Sequence, residues 1–159
     1  MSTPYLLEIN DAYSYEFVTD QSIRYLIYFR NVSYLFEEFP YIHSFIYEFN
    51  IEVLDGDPDV SIEDLRVSLT ILEAFARFFS AVENVAVYVC DSLDDRQVAR
   101  NRKFNIWFFR LSDGSIIKKN GSILVGDTII YNSILVHKDN VERDEIIQAF
   151  EVLNGRLDK

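Results

Sequence analysis

The sequence predicts an α+β fold: a largely antiparallel β-sheet built from two meanders, with a long central helix, a short helix and a C-terminal helix packed on it. Three observations predict it. The first third of the chain alternates aromatic and β-branched residues with polar ones. Apolar residues then recur every three or four positions from Ile62 to Val82. Short alternating runs follow, separated by turn signals, before a last periodic segment near the C-terminus.

Taken in order, Leu6 to Ile9 is a possible strand. Tyr13 to Thr19 and Ile23 to Phe29 flank Asp20-Gln21-Ser22 and read as a hairpin. Asn31 to Tyr41 fits no single pattern, and Pro40 ends whatever precedes it. From Ser44 to Val53, Phe45, Tyr47, Phe49, Ile51 and Val53 share one face. Glu48, Asn50 and Glu52 share the other, which is a strand with one wet face. Asp55 to Asp59 is a loop. Ser61, with Asp64 three residues on, starts the long helix. Ile62, Leu65, Leu69, Leu72, Phe75, Phe79 and Val82 form its apolar stripe over about six turns. Val85 to Val89 is a continuous apolar run, read as a strand buried on both faces.

Asp91 or Ser92 then caps a short helix reaching about Arg102. Phe104 to Leu111 reads as helix or strand. The strand is preferred because Ser112-Asp113-Gly114 is a good hairpin turn before Ile116-Ile117. Asn120-Gly121 is a second turn signal, and Thr128 to Val136 a last strand. Asn140 caps a closing helix with Ile146, Ile147, Phe150 and Leu153 on its apolar face.

Length and composition bound the rest. A chain of 159 residues is expected to form one domain, 1–159, with a core that needs no staples. Its single cysteine allows no internal disulfide and fits a reducing cytoplasm. The first residues lack a basic region ahead of an apolar run, so no signal peptide is expected. The apolar runs are too short to cross a bilayer. Fourteen of the 24 aromatic residues, including eight of the ten tyrosines, fall in residues 1–49, a composition foreign to disorder.

Charge is unevenly placed. Residues 1–89 hold 15 acidic and 4 basic side chains, a net of −11, while residues 90–159 hold 11 of each. Arg96, Arg100, Arg102, Lys103 and Arg110 form a short strip without an acid among them. Such polarity opposes binding to nucleic acid or anionic membrane and favours a basic partner.

The string Tyr88-Val89-Cys90-Asp91-Ser92, then Asp94, Arg96-Gln97, Arg100, Arg102, Phe104 and Trp107-Phe108, carries a resemblance. With the tyrosine-rich hairpin and the closing Ala149-Phe150, it resembles a small family of Bacteroidota proteins, a domain of unknown function. The resemblance spans nearly the whole chain and implies no activity. It implies only that the central string is a family signature.

That string is also the place for a ligand. Cys90 to Ser92 fall where a buried strand leaves the sheet and a helix begins, a position that favours anions. Arg96 and Arg100 share a helix face, with Asp91 and Asp94 before them. A helix start and an arginine would also lower the Cys90 thiol pKa. The candidate ligand-binding residues are therefore Cys90, Asp91, Ser92, Asp94, Arg96 and Arg100. The same residues also read as structure: a cap, helix-surface ion pairs and a small buried hydrophobe.

Other chemistry is sparse. His43 and His137 have no partner at metal-ligand spacing, so no metal is expected, and no cofactor pattern occurs. Asp55, Asp57 and Asp59 imitate a calcium loop, but a glycine between the first two and Pro58 break it. Two function classes follow. One is a small acidic cytosolic module that binds another protein, of inhibitor or immunity type, with tyrosines at the interface. The other binds or turns over a small anionic ligand at Cys90–Arg100.

Overall fold

A computed structural model describes residues 3–57, 65–90, 105, 108 and 113–157, with backbone alone at Cys90, Val125, Arg156 and Leu157. Seven strands make one sheet: β1 (Glu8–Asp11), β2 (Ser14–Val18), β3 (Arg24–Asn31), β4 (Phe45–Asp55), β5 (Asn84–Cys90), β6 (Ile116–Val125) and β7 (Thr128–His137). Their order is β1-β2-β3-β4-β5-β7-β6. Helix α1 spans Leu65–Phe78 and α2 spans Arg143–Leu157. The fold is α+β, and its sheet is mostly antiparallel. The parallel pair is β4 with β5, Phe45 opposite Asn84, joined through the connection that holds α1.

The chain divides into two compact units, Met1–Arg30 with Phe49–Ala81 and Asn31–Glu48 with Val82–Lys159. In the first, the expected hairpin forms, with Ser14 opposite Tyr28 and Val18 opposite Arg24. Its turn is closed by Thr19, which donates its N–H to the Ile23 carbonyl at 2.9 Å and accepts the Ile23 N–H on Oγ1 at 3.1 Å. Alternation sends Tyr15, Phe17, Ile27 and Phe29 to the buried face. Phe29 stacks on Phe78 of α1 with ring centroids 4.0 Å apart, and Phe49 meets Phe75 at 4.7 Å. Gly56, at φ +92°, lies against the hairpin turn. A Cβ there would come within 3.0 Å of the Ser22 carbonyl and the Ile23 Cα, so the Asp55-Gly56 turn needs its glycine.

Helix α1 corrects the expected stripe. Leu65 and Val82 are exposed, and the buried positions are Ser68, Thr70, Ile71, Ala74, Phe75 and Phe78. The N-terminal segment accounts for Thr70. Tyr5 donates its N–H to Thr70 Oγ1 at 2.8 Å, while the Arg66 guanidinium sits 3.9 Å over the Tyr5 ring and binds the Thr3 carbonyl. The helix ends where Ser80 turns its N–H and hydroxyl onto the Arg77 carbonyl. Ile62, the Ser61 cap and Asp64 lie outside the described residues.

In the second unit, β5 runs between β4 and β7, with Val85 and Ala86 fully buried. The strand opens to solvent at Val89. β6 and β7, ten residues each, form a hairpin turning at Gly126-Asp127. Helix α2 packs Ile146, Ala149 and Phe150 against Val85, Val87, Ile134 and Val136. Asn140 lies in the turn that leads into the helix, its Oδ1 accepting the Glu142 N–H at 2.8 Å and its carbonyl the Arg143 N–H at 3.1 Å.

Three expectations are corrected here. Asn105 and Phe108, the described residues of 104–111, are helical, so the preferred strand is not formed there. The second meander is replaced by a crossover: β5 and β6 both run antiparallel to β7, hence parallel to each other. Asn120-Gly121 is not a turn but the middle of β6. Asn154 of α2 lies over the glycine, where a Cβ would meet Asn154 Oδ1 at 2.5 Å and force that side chain to move. The short helix expected over Asp91–Arg102 lies outside the described residues.

Candidate interaction surface

The segment Asn31–Tyr41 fits no periodicity of 2 or 3.6 because its turns repeat every three residues. Leu35, Glu37, Phe39 and Ile42 donate their N–H groups to the carbonyls of Val32, Tyr34, Phe36 and Phe39, each three residues back. Ser33–Phe36 is one turn of 3-10 helix. With that spacing Phe36 and Phe39 enter the core beside Val32 and Ile46, and Ile42 packs against them. The residues between them must point outward. Tyr34 is 65% exposed, Tyr41 53% and Phe45 52%, and Leu35 is exposed as well. Phe45 therefore departs from the expected β4 pattern: Ile46, not Phe45, takes the inward place. Glu37 and Glu38 are exposed in the same segment, and Asn31–Glu48 contains no lysine or arginine.

The far end of this segment is fastened to the start of α2. The Glu142 carboxylate accepts the His43 N–H at 2.8 Å, the Ser44 N–H at 2.8 Å and the Ser44 hydroxyl at 2.7 Å. Asn140 Nδ2 donates to Ser44 Oγ at 3.2 Å, so the hydroxyl both gives and receives. Burial opposes ionisation of Glu142. The Ser44 hydroxyl and the two backbone N–H groups, with His43 nearby, outweigh it and hold the carboxyl below its usual range. The near end is fixed too: Ser33 Oγ accepts the Ile46 N–H at 3.1 Å, and its own N–H goes to Asn31 Oδ1 at 2.9 Å. Val141, 93% exposed, sits beside the Glu142 latch. The outcome is a set of aromatic side chains held outward on a backbone bound at both ends, with carboxylates among them. Rigid presentation of tyrosine lowers the ordering cost of association.

Most of the other tyrosines have a different role. Tyr5, Tyr15 and Tyr47 are buried, and Tyr13, Tyr25 and Tyr28 are half-buried. The N-terminal wealth of tyrosine is thus mainly core, with Tyr34 and Tyr41 as the exposed pair.

Of the residues expected to hold an anion, Cys90 ends β5, its backbone opposite Tyr131. Asp91, Ser92, Asp94, Arg96 and Arg100 lie outside the described residues, as does the rest of the basic strip. The described part of that connection meets the sheet at Lys118, whose ammonium hydrogen-bonds the side-chain oxygens of Asn105 and Asn120 and lies 5.9 Å over the Phe108 ring. The buried Ser133 hydroxyl donates to the same Asn120 oxygen at 2.8 Å. This polar row was not anticipated, since Asn120 read as a turn. Among the described residues no group of three His, Cys, Asp or Glu gathers to hold a metal, and no helix is long and apolar enough to cross a membrane.

A family model matches residues 63–152, that of a family of unknown function, DUF6169. The match covers more than half of the chain, and the protein belongs to that family. It takes in α1, β5, the central string, β6, β7 and most of α2. The tyrosine-rich hairpin and the Tyr34–Phe45 segment precede it, so the likeness is narrower than the sequence suggested. A comparison with curated proteins finds no match.

Proposed function

We propose that this protein is a small acidic cytosolic interaction module, of inhibitor or immunity type, which binds a basic protein partner through the Tyr34–Phe45 segment. The observation that carries this is the outward set Tyr34, Leu35, Tyr41 and Phe45, with Glu37 and Glu38 among them and no lysine or arginine in the segment. Aromatic anchors ringed by charge are the usual centre of a protein interface. The acidic excess of residues 1–89 would speed encounter with a cationic surface.

The test is capture from the native host's lysate by the tagged chain, beside Tyr34→Ala/Tyr41→Ala and Glu37→Gln/Glu38→Gln variants. The expected result is one stoichiometric basic protein, lost with the tyrosine pair and released by salt from wild type. A partner that both variants retain equally would place the interface elsewhere. An Arg96→Ala/Arg100→Ala variant in the same experiment tests the anionic-ligand reading. If it alone loses the partner, the central string and not the aromatic segment makes the contact.

A further inference from the structure

The sheet has two edges, and they are guarded differently. β1 is four residues long, carries Glu8 and Asp11, and slips register against β2 between Ile9 and Asp11. A short, charged, irregular strand is how proteins blunt an edge. β6 is ten residues long and pairs with β7 without interruption, from Ile116 opposite His137 to Val125 opposite Thr128. In an antiparallel ladder every second residue turns its N–H and C=O away from its partner. Among the described residues no strand pairs with that outer side of β6.

Lysines commonly guard such an edge, and β6 has two. Both are drawn back into their own chain. Lys119 Nζ lies 3.2 Å from Glu151 of α2, on one face of the sheet. Lys118 is bound to Asn105 and Asn120 on the other. Both ammonium groups are therefore bound within their own chain, Lys119 to a carboxylate and Lys118 to amide oxygens.

We propose that β6 is the interface of a symmetric dimer, in which the β6 strands of two copies pair antiparallel about a two-fold axis at Asn120. The register follows from the side chains. Residues opposite each other in a sheet share a face, so the axis must pass through a residue and not between two. Centred on Asn120, Ile116 faces Leu124, Ile117 faces Ile123, Lys118 faces Ser122 and Lys119 faces Gly121. Apolar residues meet apolar residues at both ends, and no like charges are opposed. Centred on Gly121 instead, Lys118 would face Leu124 and Lys119 would face Ile123. The strand reads alike in both directions about Asn120, which selects a second copy of this chain as occupant over a foreign strand. Leu124, 53% exposed, gains a partner in this arrangement.

Ser122 is exposed, so its charge can be changed without disturbing the core. Sedimentation of the full-length chain over a concentration series reads the outcome. Wild type is expected to be a dimer. Ser122→Lys sets a lysine against Lys118 of the partner subunit twice per dimer and weakens association by roughly tenfold or more. Ser122→Glu sets a carboxylate there and keeps the dimer. Far-UV circular dichroism checks that both variants fold. Monomeric wild type at every soluble concentration overturns the proposal. So does a dimer indifferent to Ser122→Lys, or one that both substitutions break alike.

Discussion

Glu142 shows how one side chain can place a surface. Its carboxylate gathers three donors from His43 and Ser44, and Asn140 completes the ring of contacts. Removing it by Glu142→Ala leaves those donors without their acceptor and is expected to cost about 2 kcal/mol in urea unfolding at neutral pH. Because the folded carboxyl is held below its ordinary value, it stabilises the fold fully above that value. This contribution is lost as pH falls from the ordinary glutamate range down through the lowered one. Glu142→Ala should therefore flatten the acid limb of the stability curve, and an unchanged limb would deny the latch its role. Nothing in the sequence announces this contact, since its partners are 98 residues apart. Gly121 is similar: as part of Asn-Gly it imitated a turn. Gly121→Ala would force Asn154 off its bonds to Asn132 and the Phe150 carbonyl, an expected loss of about 1–2 kcal/mol. Asn154→Ala in the same chain should make the second methyl cheaper, so a double-mutant cycle would show coupling and strict additivity would contradict it.

At the level of elements, strong periodicity was legible and weak periodicity was not. The β2–β3 hairpin and α2 follow from alternation or a 3.6 pattern, and β5 from a continuous apolar run that is buried on both faces at Val85 and Ala86. β4 and β7 were found as strands, although Phe45 of β4 faces outward. α1 deviates because it is covered from two directions. The sheet takes Phe75 and Phe78, and the N-terminal segment takes Thr70, so a hydroxyl occupies a buried position that a hydrophobic stripe would not include. Thr70→Val keeps the shape but strands the Tyr5 N–H. It should cost about 1–2 kcal/mol and raise hydrogen exchange in residues 3–7, leaving α2 unaffected. If exchange there stays unchanged, the segment is held by other contacts. The Asn31–Tyr41 segment was illegible for a different reason. Its period of three belongs to neither α-helix nor strand, and exposed aromatics look the same in sequence as buried ones. The Cys90–Arg100 reading, in contrast, came from local order alone, and of its residues only the end of β5 falls within the described structure.

For the whole molecule, strand β4 supplies Phe49–Asp55 to one compact unit and Phe45–Glu48 to the other. A strand that is continuous through both should make them unfold together. A single denaturation transition, coincident by circular dichroism and tyrosine fluorescence, is the expected behaviour of one domain over 1–159. Two separated transitions would mean two. The acidic excess of −11, confined to residues 1–89, was plain from the sequence and is the ground for proposing a basic partner. The exposed aromatic set proposed to meet it needed the fold. The central claim is that Tyr34 and Tyr41 touch a basic protein, and photo-crosslinking reads that directly. A benzophenone amino acid is placed at Tyr41 and, as control, at the exposed Val152. The chain is irradiated in its native host, and adducts are identified by mass spectrometry. One basic protein joined at position 41 and not at 152 is the expected result. No adduct at position 41, with a partner captured at 152 instead, would contradict it.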